Sequence, residues 1–146
     1  MSIDDDVALL ERVPTMRLLG STSLRMLAIG SEQRDFEDGD VLFKAGDAAD
    51  AGYVVQSGTF RVEEGGAEIV AGPGALIGEL ALIVAMKRPS TATALERASV
   101  IRIARSLFQR VLESDPAAAR RLRDDLATRT SQLASDILMA GAKLNT

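Results

Sequence analysis

The sequence has no cysteine, no histidine and no tryptophan, and only one tyrosine and four phenylalanines among its 146 residues. Without cysteine there is no disulfide framework and no thiolate site for zinc or redox chemistry. Without histidine the commonest general base and metal ligand is missing, so a His-containing nucleophilic triad is impossible. Aromatics make up 3% of the chain, so its core must be aliphatic. An excess of positive charge is also lacking. There are 17 basic and 21 acidic residues, a net charge of −4. A nucleic-acid surface needs a basic excess, so no direct nucleic-acid binding is expected. A small anionic ligand is still compatible, because one well-placed arginine matters more than net charge. The opening MSIDDDVALL is acidic where a signal peptide would be basic. The longest apolar stretch, Ala75 to Met86, is broken by Glu79 and is too short to cross a bilayer. The expectation is a cytoplasmic chain off the membrane, with no catalytic residues, no metal and no cofactor.

What is present fits a globular protein: 47% hydrophobic and 26% charged residues. The length suits one domain over residues 1–146 with a real core. Three zones are expected within it. Residues 1–33 carry apolar positions at helical spacing (Val7, Leu10, then Leu24, Leu27 and Ala28). Pro14 separates two short helices there, and Ser21 or Ser23 is placed to cap the second. Residues 34–104 alternate short runs of β-formers with turn signals at Asp38-Gly39, Ala45-Gly46-Asp47, Ser57-Gly58, Gly65-Gly66 and Gly72-Pro73-Gly74. Val62, Glu64, Glu68 and Val70 flank the Gly65-Gly66 turn as a hairpin would. Many short strands at this spacing predict a small barrel or jelly roll. Inside this zone Gly78 to Val84 reads as a short helix.

Residues 105–146 return to helix. Ser106 and Gln109 form a capping-box pattern, and Asp115-Pro116 supplies an N-cap followed by proline at the first helical position. The last helix carries a stripe of Ala119, Leu122, Leu126, Leu133 and Ile137. That stripe either packs on the barrel or forms a homodimer seam. It is not a clean heptad, because Arg129 and Asp136 interrupt it. The predicted class is α+β (mainly β): an antiparallel β jelly-roll barrel flanked by N-terminal helices and two C-terminal helices.

One segment, residues 77–91, points to chemistry. Gly78-Glu79-Leu80-Ala81-Leu82 is followed by Arg88, nine residues after Glu79. A glycine at a strand-to-helix junction lets the backbone come close to a ligand. The first amides of the following helix lack internal partners and attract an anion. A guanidinium can fork onto two phosphate oxygens, and a glutamate can accept from sugar hydroxyls. These residue types describe a site for a compact anion or nucleotide. Each of them alone is also an ordinary surface or first-turn residue.

From Leu9 to Leu112 the chain resembles the cyclic nucleotide-binding domain family. The resemblance rests on Leu10-Glu11-Arg12-Val13-Pro14, on Phe36 to Phe43, and on Ala45-Gly46-Asp47. It continues through Tyr53-Val54-Val55-Gln56-Ser57-Gly58, Gly72-Pro73-Gly74, and Gly78 to Leu82 followed by Arg88. It implies a regulatory sensor, not an enzyme, that binds a cyclic nucleotide, with cAMP ahead of cGMP. By resemblance, Glu79 takes the ribose 2′-hydroxyl with the Gly78 amide nearby. Leu80 and Ala81 offer amides to the phosphate, and Arg88 pairs with the exocyclic phosphate oxygens. The base meets apolar barrel residues and a lid from the last helix. Output is expected through movement of the C-terminal helices and an unknown protein partner, since too few residues follow Ala140 for a helix-turn-helix.

The sequence departs from the family at Pro89, where a small residue usually offers its amide to the phosphate. Proline has no N–H. Ser90 or Thr91 is then expected to contribute a hydroxyl. The lost charge-assisted bond costs roughly 1.5–3 kcal/mol, about ten- to a hundredfold in affinity. The alternative is a degenerate member of the family serving as a protein-interaction module. A cupin-like enzyme, which shares the jelly-roll plan, would need the histidines that are absent.

Overall fold

The structure is a computed structural model that describes residues 2–133, with side chains through residue 128. The first helix, α1 (Ile3–Leu10), starts on a reciprocal cap. Ser2 Oγ accepts from the Asp5 amide at 3.0 Å, and the Asp5 carboxylate takes the Ser2 amide at 3.4 Å. Asp4, Asp5 and Asp6 fill its first turn, where negative charge suits the helix dipole. Pro14 does not separate two helices directly, because a short 3₁₀ turn at Met16–Leu18 intervenes. The second helix, α2, runs Ser21–Gly30. Neither Ser21 nor Ser23 caps it. Gly20 holds the N-cap position, and the Ser23 hydroxyl instead donates to Asp115 Oδ2 at 3.1 Å. A long-range acceptor outcompetes the local one.

Ten strands follow: β1 (Glu32–Phe36), β2 (Val41–Phe43), β3 (Ala48–Ala49), β4 (Ala51–Ser57), β5 (Phe60–Glu64), β6 (Ala67–Ala71), β7 (Leu76–Ile77), β8 (Met86–Lys87), β9 (Thr91–Ala94) and β10 (Ala98–Ala104). They pair antiparallel in the orders β1-β10-β4-β7 and β2-β9-β5-β6, with β3-β8 as a separate ribbon. This is the expected jelly-roll plan, built as three sheets and not as one continuous ring. The β5–β6 hairpin turns at Gly65-Gly66, with Glu64 opposite Ala67 and Val62 opposite Ile69.

The period-two alternation of strands divides the core in two. From β4 and β10, Tyr53, Val55, Ala98 and Val100 join Phe43, Phe60, Ala92 and Ala94 between the sheets. From the same two strands, Val54, Ile101 and Ile103 point the other way, into a layer with Leu10, Met16, Leu27, Phe108 and Val111. Strand β4 is buried along Ala51 to Val55 because both of its faces are covered. That explains its near-continuous apolar run.

The third helix, α3, spans Arg105–Glu113 and leaves β10 without a break. The Ser106/Gln109 capping box is not formed. The N-cap is Ala104, with no side-chain bond, and the Arg105 amide goes to Asp50 O at 2.8 Å. The start of α3 is therefore set by contacts with the barrel. The fourth helix, α4 (Pro116–Leu133), begins as expected, with Asp115 Oδ1 accepting from the Ala118 amide at 3.1 Å. Its buried face is Ala118 and Leu122, with Leu126 packed alongside on the helical core. Ala119 is only half-buried. The Leu133 side chain and Ile137 lie outside the described residues. Among the described residues, no helix is long and apolar enough to cross a membrane.

Candidate functional site

A cavity of about 520 Å³ opens between the β5–β6 hairpin and the segment from Ala75 to Ser90. The apolar wall comes from Val62 and Ile69 across the hairpin, with Phe43 behind. The opposite wall is the segment singled out from sequence. Its expected helix shrinks to one 3₁₀ turn at Glu79–Leu82, because strands β7 and β8 lie close on either side.

Gly78 turns the chain from β7 into that 3₁₀ turn with φ +81°, a left-handed conformation that favours glycine. Space is equally restrictive. A Cβ there would lie 2.6 Å from Arg88 Nη1. The carbonyl of Gly78 accepts from the Ala81 amide at 3.1 Å. Glu79 sits at the start of the turn, half-buried, and its Oε2 accepts from the Thr15 hydroxyl. Thr15 is 7% exposed and comes from the N-terminal segment, 64 residues away. Leu80 lines the mouth and is 54% exposed, whereas Ala81 is buried.

Arg88 is the centre of the site. It is 5% exposed and lines the cavity. Its backbone is pinned to the Ala45-Gly46-Asp47 turn, donating to Asp47 O at 2.7 Å and accepting from the Gly46 amide at 2.8 Å. Its guanidinium donates from Nη2 to Ala51 O at 2.8 Å. Two rings flank it: Cζ lies 4.2 Å from the Phe43 centroid and 5.5 Å from that of Tyr53. Nε has no acceptor, and no described carboxylate forms an ion pair with this arginine. Burial pushes its pKa below the usual arginine value, opposed by Tyr53, through charge and a side-chain hydrogen bond, and by Asp50 and Asp47. A buried cation without an ion-paired carboxylate beside a cavity has the chemistry to receive an anion, which would supply the missing acceptors.

Pro89 and Ser90 also line the cavity; Pro89 is exposed and Ser90 is 7% exposed. Thr91 is not among the lining residues. It sits on β9, and its hydroxyl accepts from the Ala45 amide at 2.9 Å. The fold thus brings Gly78, Glu79, Leu80, Ala81, Arg88 and Ser90 to one cavity and leaves Thr91 just outside it. Among the described residues no cluster of His, Cys, Asp and Glu could hold a metal.

Sequence reasoning passed over four residues here. Phe43 and Tyr53 are two of the five aromatics in the chain, and their scarcity was the available signal. Thr15 had none. Arg105 had none either, yet its Nη1 donates to Ala49 O at 2.8 Å and to Ala81 O and Val84 O at 3.2 Å each. One guanidinium therefore ties the first residue of α3 to the far end of the 3₁₀ turn.

A model of the cyclic nucleotide-binding domain matches residues 33–115. A cAMP-dependent protein kinase regulatory subunit from Yarrowia lipolytica is 33% identical over 106 residues, covering 70% of this chain and 28% of that protein. Among solved structures, a cyclic nucleotide-binding-like protein from Brucella abortus is 38% identical with a TM-score of 0.66, over 75% of this chain and 99% of that one. The N-terminal domain of a transcriptional regulator from Streptomyces coelicolor is 28% identical with a TM-score of 0.78, over 92% of this chain and 98% of that one. The chain spans less than a third of the length of the first curated relatives it matches. More than half of the chain lies within the family match, in the same strands and cavity that hold Arg88, and the chain belongs to the cyclic nucleotide-binding domain family.

Proposed function

We propose that the chain is a regulatory sensor module that binds a cyclic nucleotide, cAMP in preference to cGMP, and signals through its C-terminal helices to a protein partner in the cytoplasm. One observation carries this reading: Arg88 is buried at the wall of an apolar cavity with an unpaired Nε and no described ion-paired carboxylate. In this reading Arg88 forks onto the exocyclic phosphate oxygens. Glu79, held by Thr15, accepts from the ribose 2′-hydroxyl beside the Gly78 amide. The Leu80 amide faces the phosphate, and the Ala81 amide, engaged with Gly78 O, joins it as the turn tightens. Ser90 supplies a hydroxyl in place of the amide that Pro89 lacks. Val62 and Ile69 receive the base. The Thr91 hydroxyl accepts from the Ala45 amide outside the cavity and takes no ligand role in this reading. Arg105 supports the output step, because a tightening turn at Ala81 and Val84 pulls directly on the start of α3. The ligand drives that shift only through its differential affinity for the two states.

Calorimetric titration with cAMP and cGMP is the test. The expected result is saturable binding of cAMP that is tighter than that of cGMP. If neither ligand gives heat at millimolar concentration, the sensor reading is lost and the interaction-module alternative takes its place. A second expectation concerns Gly78→Ala. The methyl group meets Arg88 Nη1 and the φ of +81° disfavours it, at about 1–2 kcal/mol for the backbone alone. Affinity should fall at least about tenfold as Arg88 is displaced, with a lowered urea midpoint. An alanine variant that binds like wild type would show that Arg88 need not hold its observed position.

A further inference from the structure

A guanidinium buried at a cavity wall needs something to hold it there. The Arg88 guanidinium donates to Ala51 O, and no described carboxylate forms an ion pair with it. A long, flexible cation in that situation should swing toward water. It is instead 5% exposed. Among the described residues it lies against the Phe43 ring at 4.2 Å and the Tyr53 ring at 5.5 Å, and the Tyr53 hydroxyl, Asp50 and Asp47 also favour its charge. These rings are 5.9 Å apart and inclined by 34°, and both are buried, at 7% and 5% exposure. They come from β2 and β4, which belong to different sheets.

We propose that Phe43 and Tyr53 are positioning residues for anion capture, an aromatic cradle that keeps Arg88 at the cavity wall while leaving its donors for the ligand. A carboxylate in the same place would hold the arginine equally well but would occupy those donors and repel a phosphate. A ring face attracts the cation without accepting its N–H groups in the plane of the guanidinium. The cradle therefore resolves a conflict between holding the cation and keeping it available. This rests on the cyclic-nucleotide reading for the ligand's identity, but not for its charge, since any phosphate-bearing anion would depend on the same cradle.

The test compares wild type with Phe43→Leu, Tyr53→Leu, Tyr53→Phe and Arg88→Met. Phe36→Leu is the control, because Phe36 packs edge-on against Phe60 in the same core and is not one of the two rings that flank Arg88. Two quantities are read: cAMP affinity by calorimetry, and the rise in thermal midpoint on replacing chloride by inorganic phosphate at matched ionic strength. The rise remaining in Arg88→Met measures the non-specific effect of phosphate. Phe43→Leu should weaken cAMP roughly ten- to thirtyfold and cut the phosphate-induced rise to the Arg88→Met level. Tyr53→Leu should do the same to a smaller degree, with Tyr53→Phe restoring most of it. Phe36→Leu should lower the midpoint in both salts alike without changing affinity. A merely structural role for Phe43 would lower stability and leave the phosphate increment intact, and that result overturns the proposal. If wild type binds no cyclic nucleotide, the functional reading fails while the phosphate increment still decides the cradle. A wild-type increment no larger than that of Arg88→Met, or one that Phe43→Leu retains, overturns it.

Discussion

Arg88→Met should abolish cyclic-nucleotide binding while leaving the ligand-free protein at least as resistant to urea as wild type. The two effects have one cause. Each charge-assisted hydrogen bond to a phosphate oxygen is worth roughly 1.5–3 kcal/mol, so losing a two-bond fork costs at least about a hundredfold in affinity. The same guanidinium is a liability to the empty fold. It is buried, its Nε is unpaired, and Asp50 and Asp47 offset its charge without either forming an ion pair with it. Replacing poorly compensated buried charge by an apolar side chain of similar length is often neutral or stabilising. Methionine also keeps a favourable contact with the Phe43 and Tyr53 rings through its sulfur. Against this, Ala51 O loses its donor, a cost of about 1 kcal/mol. Calorimetry with cAMP and urea unfolding without ligand check the two halves. Binding retained within tenfold of wild type would remove Arg88 from the site. A large drop in the urea midpoint would mean that Arg88 holds the fold together and is not kept for a ligand.

Gly58→Ala should be the most damaging of the substitutions considered to the fold itself. Gly58 joins β4 to β5 with φ +76°. A Cβ placed on it would lie 2.4 Å from Arg97 O, 2.6 Å from Ala98 Cβ and 2.7 Å from Ala98 Cα. Those atoms belong to the backbone and shortest side chain at the entry of β10, so no flexible side chain can move aside. The left-handed conformation adds about 1–2 kcal/mol for any residue with a Cβ. Forced displacement of packed backbone adds typically 1–3 kcal/mol more. A loss of roughly 3 kcal/mol, or on the order of 10 °C in midpoint, is expected by thermal and urea unfolding. An alanine variant within about 1 kcal/mol of wild type would show that the β4–β5 turn can relax away from β10.

The glycine turns, the hairpin at Gly65-Gly66 and the Asp115-Pro116 helix start were legible because each is decided within a few residues. A positive φ, an alternating run or a proline at the first helical position needs no distant partner. The misses have the opposite character. Ser106 and Gln109 have the spacing of a capping box, yet α3 starts at Arg105 because Asp50 O and the carbonyls of Ala49, Ala81 and Val84 hold it there. Ser23 has the chemistry of a cap but gives its hydroxyl to Asp115. Gly78 to Val84 has the composition of a helix, but β7 and β8 leave room for only one 3₁₀ turn. In each case a tertiary contact outweighs a local preference of about 1 kcal/mol.

The candidate site divides along the same line. Sequence alone determined the chemical inventory: no histidine or cysteine for catalysis or metal binding, a Gly-Glu-Leu-Ala run at a strand end, an arginine nine residues beyond the glutamate, and a proline where an amide is expected. Local order also determined the jelly-roll plan, because alternation and turns are short-range properties. Only the tertiary structure decided what those residues do for one another. It brought Thr15 onto Glu79 across 64 positions, set Phe43 and Tyr53 from two different sheets against Arg88, left that cation without a described ion-paired carboxylate, and tied Arg105 to the 3₁₀ turn. Such pairings leave no trace in spacing, because the distance between two side chains is set by how whole sheets pack and not by how many residues lie between them.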